Sequence, residues 1–193
     1  STAAHIFGVA PEDVTQKQRR EAKAVNFGII YGISDYGLSQ NIKVSRKSAK
    51  EYIDSYFARY PHVKIFSDAN IKFARENGYI KTKFGRIRHI PEIKSSNYQV
   101  RTFGERVAMN MPLQGTASDI IKMSMLKVSD ALKEQHLQSQ LILQIHDELV
   151  IDVKKGEEEK VIKLLKANMQ DWIKLRVPLP ISINEGKNLM ECK

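Results

Sequence analysis

Three ionisable residues, His146, Asp147 and Glu148, stand in a row between two apolar runs in the segment LILQIHDELVIDV. Strand interiors disfavour Asp and Glu, and burial of an unpaired carboxylate costs several kcal/mol. The three residues are therefore expected at the tip of a β-hairpin. A hairpin needs polar residues at its tip, so a solvated turn that binds nothing accounts for them as well as a functional site does. These residues alone leave both interpretations open.

A second set of residues recurs at every fourth position, namely Arg19, Lys23, Phe27 and Tyr31. On an α-helix a step of four advances about 40°, so the set forms one slowly drifting stripe roughly 18 Å long. The cations lie near the helix N-terminus, which also favours phosphate, and the aromatic rings at the far end can stack on a base or sugar. The layout suits a nucleotide laid along the helix. The alternative is a solvated basic turn followed by aromatic residues of the core.

A third set, Arg106, Asn110 and Gln114, has the same spacing and places three long polar side chains on one helix face. These residues alone favour a polar surface stripe without a partner over a binding face.

The first half of the chain reads as helices. Thr15 with Gln18 forms a capping-box pattern that predicts a helix to Tyr31, ended by Gly32. Ser45 is expected to cap a second helix that Pro61 ends, and a third runs over 61–78. The second helix carries an apolar stripe at helical spacing, which predicts core rather than a base-stacking platform. The stripe consists of Ala49, Tyr52, Ile53, Tyr56, Phe57 and Tyr60.

The second half mixes helices with hairpins. Residues 79–90 predict a small basic hairpin, which is a candidate surface for binding a row of phosphates. Residues 97–135 predict a helix with a kink or break at 112–115. Thr116 and Asp119 are placed to cap the part after that break. After the hairpin of residues 141–153, a helix over about 157–175 and a last strand near 180–184 are expected. Helices followed by antiparallel strands indicate an α+β fold.

Bulk composition points to a polyanion as partner. The 193 residues carry a formal charge of +9, with 31 Lys and Arg against 22 Asp and Glu. Nucleic acid is favoured over membrane, because no apolar run approaches the roughly 20 residues of a transmembrane helix and no signal peptide opens the chain. The lone Cys192 excludes an internal disulfide framework and indicates a reducing, cytoplasmic location.

The segment RREAKAVNFGIIYG, residues 19–32, resembles the R-x-x-x-K-x-x-x-F-G-x-x-Y-G motif of family A DNA polymerases, the bacterial DNA polymerase I type. The His-Asp-Glu hairpin resembles the third motif of that family, and the two motifs occur in the family's order. The resemblance continues through YFARYP, GYIKTKFGRIRHIP, IKSSN and ERVAMNMPLQGTASDIIK, so it covers nearly the whole chain.

For the first stripe, the resemblance implies a nucleotide-binding role. Arg19 and Lys23 match residues that grip the incoming deoxynucleoside triphosphate, and Lys23 is also a candidate proton donor to the leaving pyrophosphate. Phe27 matches a residue that packs on the sugar and base of the nucleotide. Tyr31 matches the aromatic residue that occupies the template-base site when the fingers are open.

The resemblance implies contacts with primer–template DNA for four other residues. Arg106, Asn110 and Gln114 match residues that contact the duplex, chiefly in the minor groove, and His146 matches a residue near the primer terminus. Minor-groove acceptors are shared by A·T and T·A, so such contacts can test the shape of a base pair without reading sequence.

The resemblance also answers the question of the carboxylates. Asp147 is expected to be a ligand of one of the two Mg²⁺ ions that the complete enzyme uses for phosphoryl transfer, and Glu148 matches an auxiliary position near the metals. The other metal-binding Asp of the family lies in a D-Y-S-x-I-E type strand, and no such stretch occurs in this sequence. The chain is therefore expected to be a C-terminal fragment of an enzyme of DNA replication and repair. The fragment alone is expected to be inactive.

The resemblance implies an α+β fold in which a mainly helical fingers region, residues 1–95, precedes part of a palm, residues 96–193. The fingers would hold the nucleotide-binding helix 15–32 and the hairpin 79–90, and the palm part would hold a short antiparallel sheet with flanking helices. An incomplete palm sheet would expose an edge and apolar surface, so self-association of the fragment is expected.

Two other functions stay open. A single-subunit RNA polymerase relative shares the basic-aromatic helix and a carboxylate hairpin, but it typically has Met-Thr or similar in place of Phe27 and Gly28, and Ser in place of Glu148. A noncatalytic nucleic-acid-binding module would need only the positive charge.

Overall fold

The computed structural model describes residues 2–192, which form a mainly helical fold with two small antiparallel sheets. This confirms the α+β class. The chain divides into two compact units, Ser1–Thr116 and Ala117–Lys193, called here the first and the second unit. The division falls inside the longest helix, whereas the sequence placed the domain boundary before that helix. The assignment of fingers and palm stays a prediction.

The first unit contains five helices, a hairpin and the start of a sixth helix. These elements are α1 Thr2–Phe7, α2 Gln16–Ile30, α3 Asp35–Ile42, α4 Arg46–Arg59, α5 Pro61–Asn77, β1 Tyr79–Lys81, β2 Ile87–His89 and α6 Tyr98–Glu134, with 3₁₀ turns at Pro11–Asp13 and Pro91–Lys94. Helix α3 was not predicted from the sequence. Its sequence pattern is weak, because the helix has only eight residues and includes Gly37. The Gly37 N–H donates to the capping hydroxyl of Ser34 at 3.0 Å.

The predicted starts of α2, α4 and α5 are confirmed. The Thr15 hydroxyl accepts from the Gln18 N–H at 3.2 Å, and the Gln18 side chain accepts from the Thr15 N–H at 2.9 Å, which completes the capping box of α2. Ser45 caps α4 in the predicted way, and α5 runs from Pro61 to the residue before Gly78.

A core cluster joins α2, α3 and α4. Its buried members are Val25, Ile29, Leu38, Ile42, Ala49 and Tyr56. The apolar stripe of α4 therefore lies mostly in the core as predicted, because Tyr52, Ile53 and Phe57 pack against the same cluster. Tyr60, at the end of the stripe, is exposed.

Helix α6 runs without a break through Pro112, so of the kink or break predicted at 112–115 the break is wrong. Proline removes one backbone hydrogen bond, but packing holds the helix on both sides of it, with Ala108 buried before Pro112 and Val128 buried after it. Thr116 and Asp119 consequently lie inside the helix and do not cap a new one.

The second unit packs a hairpin against two helices. After α6 it contains β3 Gln140–Ile145, β4 Glu148–Asp152 and α7 Glu158–Leu165, which continues as a π-helical segment over Lys166–Asp171. Leu141, Leu149 and Ile151 of the hairpin pack on a cluster formed by Val128, Leu132, Val161 and Leu164.

The last predicted strand, near 180–184, is wrong, since the described residues form no strand there. Pro178 and Pro180 remove two backbone donors from this segment, which hinders any ladder. Among residues 2–192, no helix combines the length and the apolar character needed to cross a bilayer. The cytoplasmic location stays a prediction.

Candidate active site

The stripe that runs along α2 from Arg19 to its C-cap residue, Tyr31, faces the solvent. Val25 and Ile29 anchor the helix in the core, whereas Arg19 and Lys23 are exposed. Half of Phe27 and 39% of Tyr31 are also exposed. The alternative in which the aromatic residues belong to the core is therefore wrong, because the aliphatic residues of the same helix fill that place.

The exposed stripe is ordered by contacts between its own members. The rings of Phe27 and Tyr31 stack with centroids 6.2 Å apart and planes 12° apart, and the Lys23 ammonium lies 5.7 Å from the Phe27 centroid. No ion pair within residues 2–192 involves Arg19 or Lys23. The two cationic groups are therefore available to an anion, and the stacked rings lie along the same helix face.

A cleft of about 290 Å³ in the first unit brings Tyr31 together with the whole polar stripe of α6. Its lining residues come from the C-cap of α2, from β2 and from α6. They are Tyr31, Arg88, Phe103, Arg106, Val107, Asn110, Met111 and Gln114. The sequence analysis did not single out Arg88 or Phe103; the basic composition of the hairpin was the available signal for Arg88.

The cleft is electropositive and holds an unsatisfied acceptor. Neither Arg88 nor Arg106 has an ion-pair partner within the described chain, and the Arg106 guanidinium lies 6.0 Å from the Phe103 ring centroid. The side-chain oxygen of Asn110 is buried without a hydrogen-bond partner. Because a buried acceptor without a donor is costly, this atom favours a ligand that brings a donor.

The second unit presents the carboxylates at a hairpin tip, as predicted. Ile145 pairs with Glu148, so His146 and Asp147 form a two-residue turn and Glu148 begins β4. His146 has a left-handed backbone with φ of 53°, and its carbonyl accepts a hydrogen bond from the Gln144 side chain at 3.0 Å. All three ionisable residues of the tip are exposed.

The open end of this hairpin is tied by Glu157. Its carboxylate accepts from the hydroxyl and the N–H of Ser139, at 2.6 and 2.9 Å, and from the Gln138 N–H at 3.0 Å. The Ser139 hydroxyl in turn accepts from the Lys154 N–H at 3.0 Å. These hydrogen bonds, that of the Ser139 hydroxyl first, hold the pKa of Glu157 below its ordinary value. Both strand ends are thus fixed where they meet α7.

The hairpin tip fits one part of a metal site. The Asp147 carboxylate has no hydrogen-bond or ion-pair partner among the described residues, and ionised carboxylates are the ligands that Mg²⁺ prefers. Over residues 2–192, no three metal-ligating side chains gather at one place. Asp147 therefore fits as one ligand of a Mg²⁺ ion, and a complete site needs further ligands.

Strand β3 exposes apolar surface. Ile142, Leu143 and Ile145 are 52%, 47% and 39% exposed, and the pairing with β4 is irregular between Leu141 and Leu143. Such a surface is the feature from which self-association was expected. Self-association itself stays a prediction.

Comparisons with known proteins cover nearly the whole chain. A family model described as DNA polymerase family A matches residues 1–191. DNA polymerase I of Caldicellulosiruptor bescii is 52% identical over 192 residues, which are all of this chain and 23% of that protein. DNA polymerase I of Geobacillus stearothermophilus is 48% identical over 192 residues and 22% of its length.

A solved structure is also similar, that of the POL domain of Pol1 from M. smegmatis in complex with DNA primer-template and dNTP. The TM-score is 0.88 at 41% sequence identity, over 94% of this chain and 32% of that one. The chain thus spans less than a quarter of the length of the two curated relatives that it matches.

Proposed function

The chain belongs to DNA polymerase family A, and on that premise we propose that it supplies part of the polymerase site of a DNA-directed DNA polymerase that acts in DNA replication and repair. The reaction adds deoxynucleotides to the 3′-hydroxyl of a primer. The observation that carries this proposal is the outward-facing stripe of α2, which leaves two unpaired cations and two stacked aromatic rings accessible on one helix.

The stripe would bind the incoming deoxynucleoside triphosphate. Arg19 and Lys23 are exposed and without an ion-pair partner, so they can neutralise the phosphates of a nucleotide that lies along the helix. Lys23 is also proposed as the proton donor to the leaving pyrophosphate. Phe27 offers an exposed ring face to the sugar and base of the nucleotide.

The cleft would bind the primer–template duplex. Arg106, Asn110 and Gln114 line it together with Tyr31, which is proposed to occupy the template-base site. The buried oxygen of Asn110 needs a donor, and guanine N2 or a bridging water offers one in the minor groove. His146 is proposed to contact the primer terminus.

Asp147 would be a Mg²⁺ ligand, with Glu148 beside it in an auxiliary role. The chemistry that two bound Mg²⁺ ions supply is activation of the attacking oxygen and neutralisation of the leaving phosphates. The protein's own contribution is to hold the Asp147 carboxylate at the tip of a hairpin whose other end is tied by Glu157.

The chain alone is proposed to bind DNA without extending a primer. The sequence contains no D-Y-S-x-I-E stretch, which in the family supplies the second metal-binding Asp. The noncatalytic alternative thus describes the behaviour of this piece, while the polymerase activity belongs to the longer protein.

Primer extension with Mg²⁺ and four deoxynucleotides tests the proposal. The 193-residue chain is compared with a longer form that includes the D-Y-S-x-I-E strand and the thumb, each with and without Asp147→Asn. Asp152→Asn, an exposed carboxylate at the other end of β4, is the matched control.

We expect extension by the long form, a loss of at least about 10³-fold on Asp147→Asn, and little change on Asp152→Asn, since metal-assisted charge stabilisation is worth several kcal/mol. A long form that extends primers equally well without the Asp147 carboxylate would show that the metal assignment is wrong.

A further inference from the structure

The hairpin of residues 79–90 concentrates positive charge on a small element. It carries four Lys and Arg residues and no Asp or Glu, and all four, Lys81, Lys83, Arg86 and Arg88, are exposed. Arg88 also lines the cleft that contains the polar stripe of α6. The hairpin therefore extends the electropositive surface of that cleft.

Such a hairpin needs external support to hold its charges in place. Its two strands share only three residue pairs, and an isolated two-stranded ribbon is marginal in water. Ile80 and Ile90 anchor its base in a core cluster with Ala108 and Met111 of α6. The turn end, which carries Lys83 and Arg86, needs a separate attachment.

The turn end is organised by Thr82. Its hydroxyl accepts from the Phe84 and Arg86 N–H groups at 3.3 and 3.1 Å, and its own N–H donates to the Arg86 carbonyl at 2.9 Å. Thr82 is only 5% exposed. A Cβ added at Gly115 of α6 would come within 2.7 Å of its methyl group, so the turn packs directly onto the helix where Gly115 leaves room.

Thr116 adds a directional bond to this contact. Its hydroxyl donates to the Pro112 carbonyl one turn back, which leaves its oxygen lone pairs facing outward, and it accepts from the Lys83 N–H at 2.9 Å. The hydroxyl that serves the backbone around Pro112 thus also clamps the hairpin turn to α6.

We propose that Thr116 is a positioning residue for DNA: it locks the basic hairpin onto α6 so that Lys83 and its neighbours meet the phosphates of a duplex bound in the cleft. This inference rests on the proposed function, because it assumes that the cleft binds primer–template DNA. It assigns to Thr116 a role through the hairpin and no contact with the substrate.

The test compares three variants of the 193-residue chain. Thr116→Val keeps the shape of the side chain and removes both hydrogen bonds, whereas Thr116→Ser keeps the hydroxyl. Thr102→Val is the matched control, because Thr102 makes the same bond to a carbonyl one turn back, that of Tyr98 at 2.8 Å, elsewhere on α6. The readouts are the Kd for a fluorescent primer–template duplex over a range of salt concentrations and the hydrogen exchange of the Lys83 amide.

For Thr116→Val we expect a three- to tenfold weaker Kd, roughly, and a fall of about one in the slope of log K against log salt, which corresponds to one lost phosphate contact. The Lys83 amide should lose protection in the same variant. Thr116→Ser and Thr102→Val should behave as the parent chain does. In a Lys83→Gln background, Thr116→Val should add little, because both changes act on the same contact.

Three results would overturn the inference. Unchanged Kd and salt slope in Thr116→Val, with parent-like thermal unfolding, would show that the clamp does not serve DNA binding. Full additivity with Lys83→Gln would show that Thr116 acts elsewhere. Absence of DNA binding by the parent chain would instead refute the DNA-binding part of the proposed function, and retained Lys83 protection in Thr116→Val would then separately refute the clamp.

Discussion

The two compact units of the chain differ most in charge. The first unit carries 19 Lys and Arg against 10 Asp and Glu, whereas the second carries 12 of each. The whole net charge of +9 therefore belongs to the first unit, together with the exposed stripe of α2 and the cleft. The second unit is neutral and contributes the carboxylates of the hairpin tip.

We expect this difference to separate attraction of the substrate, in the first unit, from metal binding, in the second. Excess cations draw a polyanion to a surface and hold it through its phosphates. A metal-binding carboxylate would be weakened as a ligand by many neighbouring cations and is better placed on a neutral scaffold. The comparison predicts that changes in the first unit alter substrate binding, while Asp147→Asn in the second abolishes turnover and leaves DNA binding intact.

The largest effect after that of Asp147 is expected at Lys23. In the complete polymerase, Lys23→Gln should lower kcat/KM for deoxynucleotides about 10- to 100-fold, because a hydrogen bond to a charged group contributes roughly 1.5–3 kcal/mol. Steady-state single-nucleotide insertion measures this.

Lys17→Gln is the matched control, since Lys17 lies on the same helix and is 80% exposed but pairs with Glu21 at 3.8 Å. Equal losses for Lys17→Gln and Lys23→Gln would break the assignment of the stripe and leave a diffuse charge effect in its place.

Two glycines, one in each unit, are required for different reasons, close packing in the first unit and backbone conformation in the second. A Cβ at Gly104 in α6 would come within 2.7 Å of the Ile93 backbone nitrogen, so Gly104→Ala should cost roughly 1–3 kcal/mol through overpacking. Gly156 in the second unit has open space around it but a φ of +92°, so Gly156→Ala should cost about 1–2 kcal/mol through backbone strain.

Asn substitutions separate the two causes, since Asn tolerates left-handed backbone but needs more room than Ala. Denaturant unfolding should show Gly156→Asn milder than Gly156→Ala and Gly104→Asn worse than Gly104→Ala. The opposite order at either glycine would contradict the stated cause.

A smaller effect concerns salt and DNA. Each exposed cation of the first unit that contacts phosphate should account for a slope of about 0.9 in log K against log salt. Arg88→Gln should reduce that slope, whereas Lys160→Gln in the second unit should not. Fluorescence anisotropy titrations of the chain at several salt concentrations provide the measurement, and equal slope changes would mean that the charge asymmetry does not direct DNA binding.

The smallest expected effect is that of pH on stability. Arg46, through its hydrogen bond, lowers the pKa of Asp35 in the first unit, and the Ser139 hydroxyl lowers that of Glu157 in the second. A carboxyl group with a lowered folded pKa contributes stability above its unfolded pKa, near 3.8 for Asp and 4.5 for Glu, and loses it as the pH falls through the folded value.

Glu157→Gln and Asp35→Asn should therefore unfold at a lower temperature than the parent at about pH 7, and the difference should shrink as the pH falls through the lowered folded pKa values. About 1 M salt should reduce the Asp35 difference, because the exposed ion pair with Arg46 is screened. It should change that of Glu157 less, because its hydrogen-bond donors, Ser139 and Gln138, are neutral. Salt sensitivity at Glu157 would argue against hydrogen bonding as the cause.

Much of the local structure followed from short-range rules in the sequence. The capping box at Thr15 and Gln18, the cap at Ser45 and the alternation around His146 and Asp147 each depend on a few adjacent residues. Helix α3 and the continuity of α6 did not follow, because a short Gly-containing helix has a weak signal and a proline inside a helix is tolerated only when packing on both sides holds it.

The amino-acid sequence by itself determined which side chains share a helix face, where α2, α4 and α5 start and which residues form the carboxylate tip, since these depend on the period of the helix, on capping and on turn chemistry. Only the tertiary structure decided that Val25 and Ile29 take the core position and leave Phe27 and Tyr31 exposed. It also decided that Arg88 joins the α6 stripe in one cleft. The physical reason is that burial depends on the surface that neighbouring elements offer. The periodicity of one helix shows which of its faces are more apolar, but it does not determine which face a distant segment will cover.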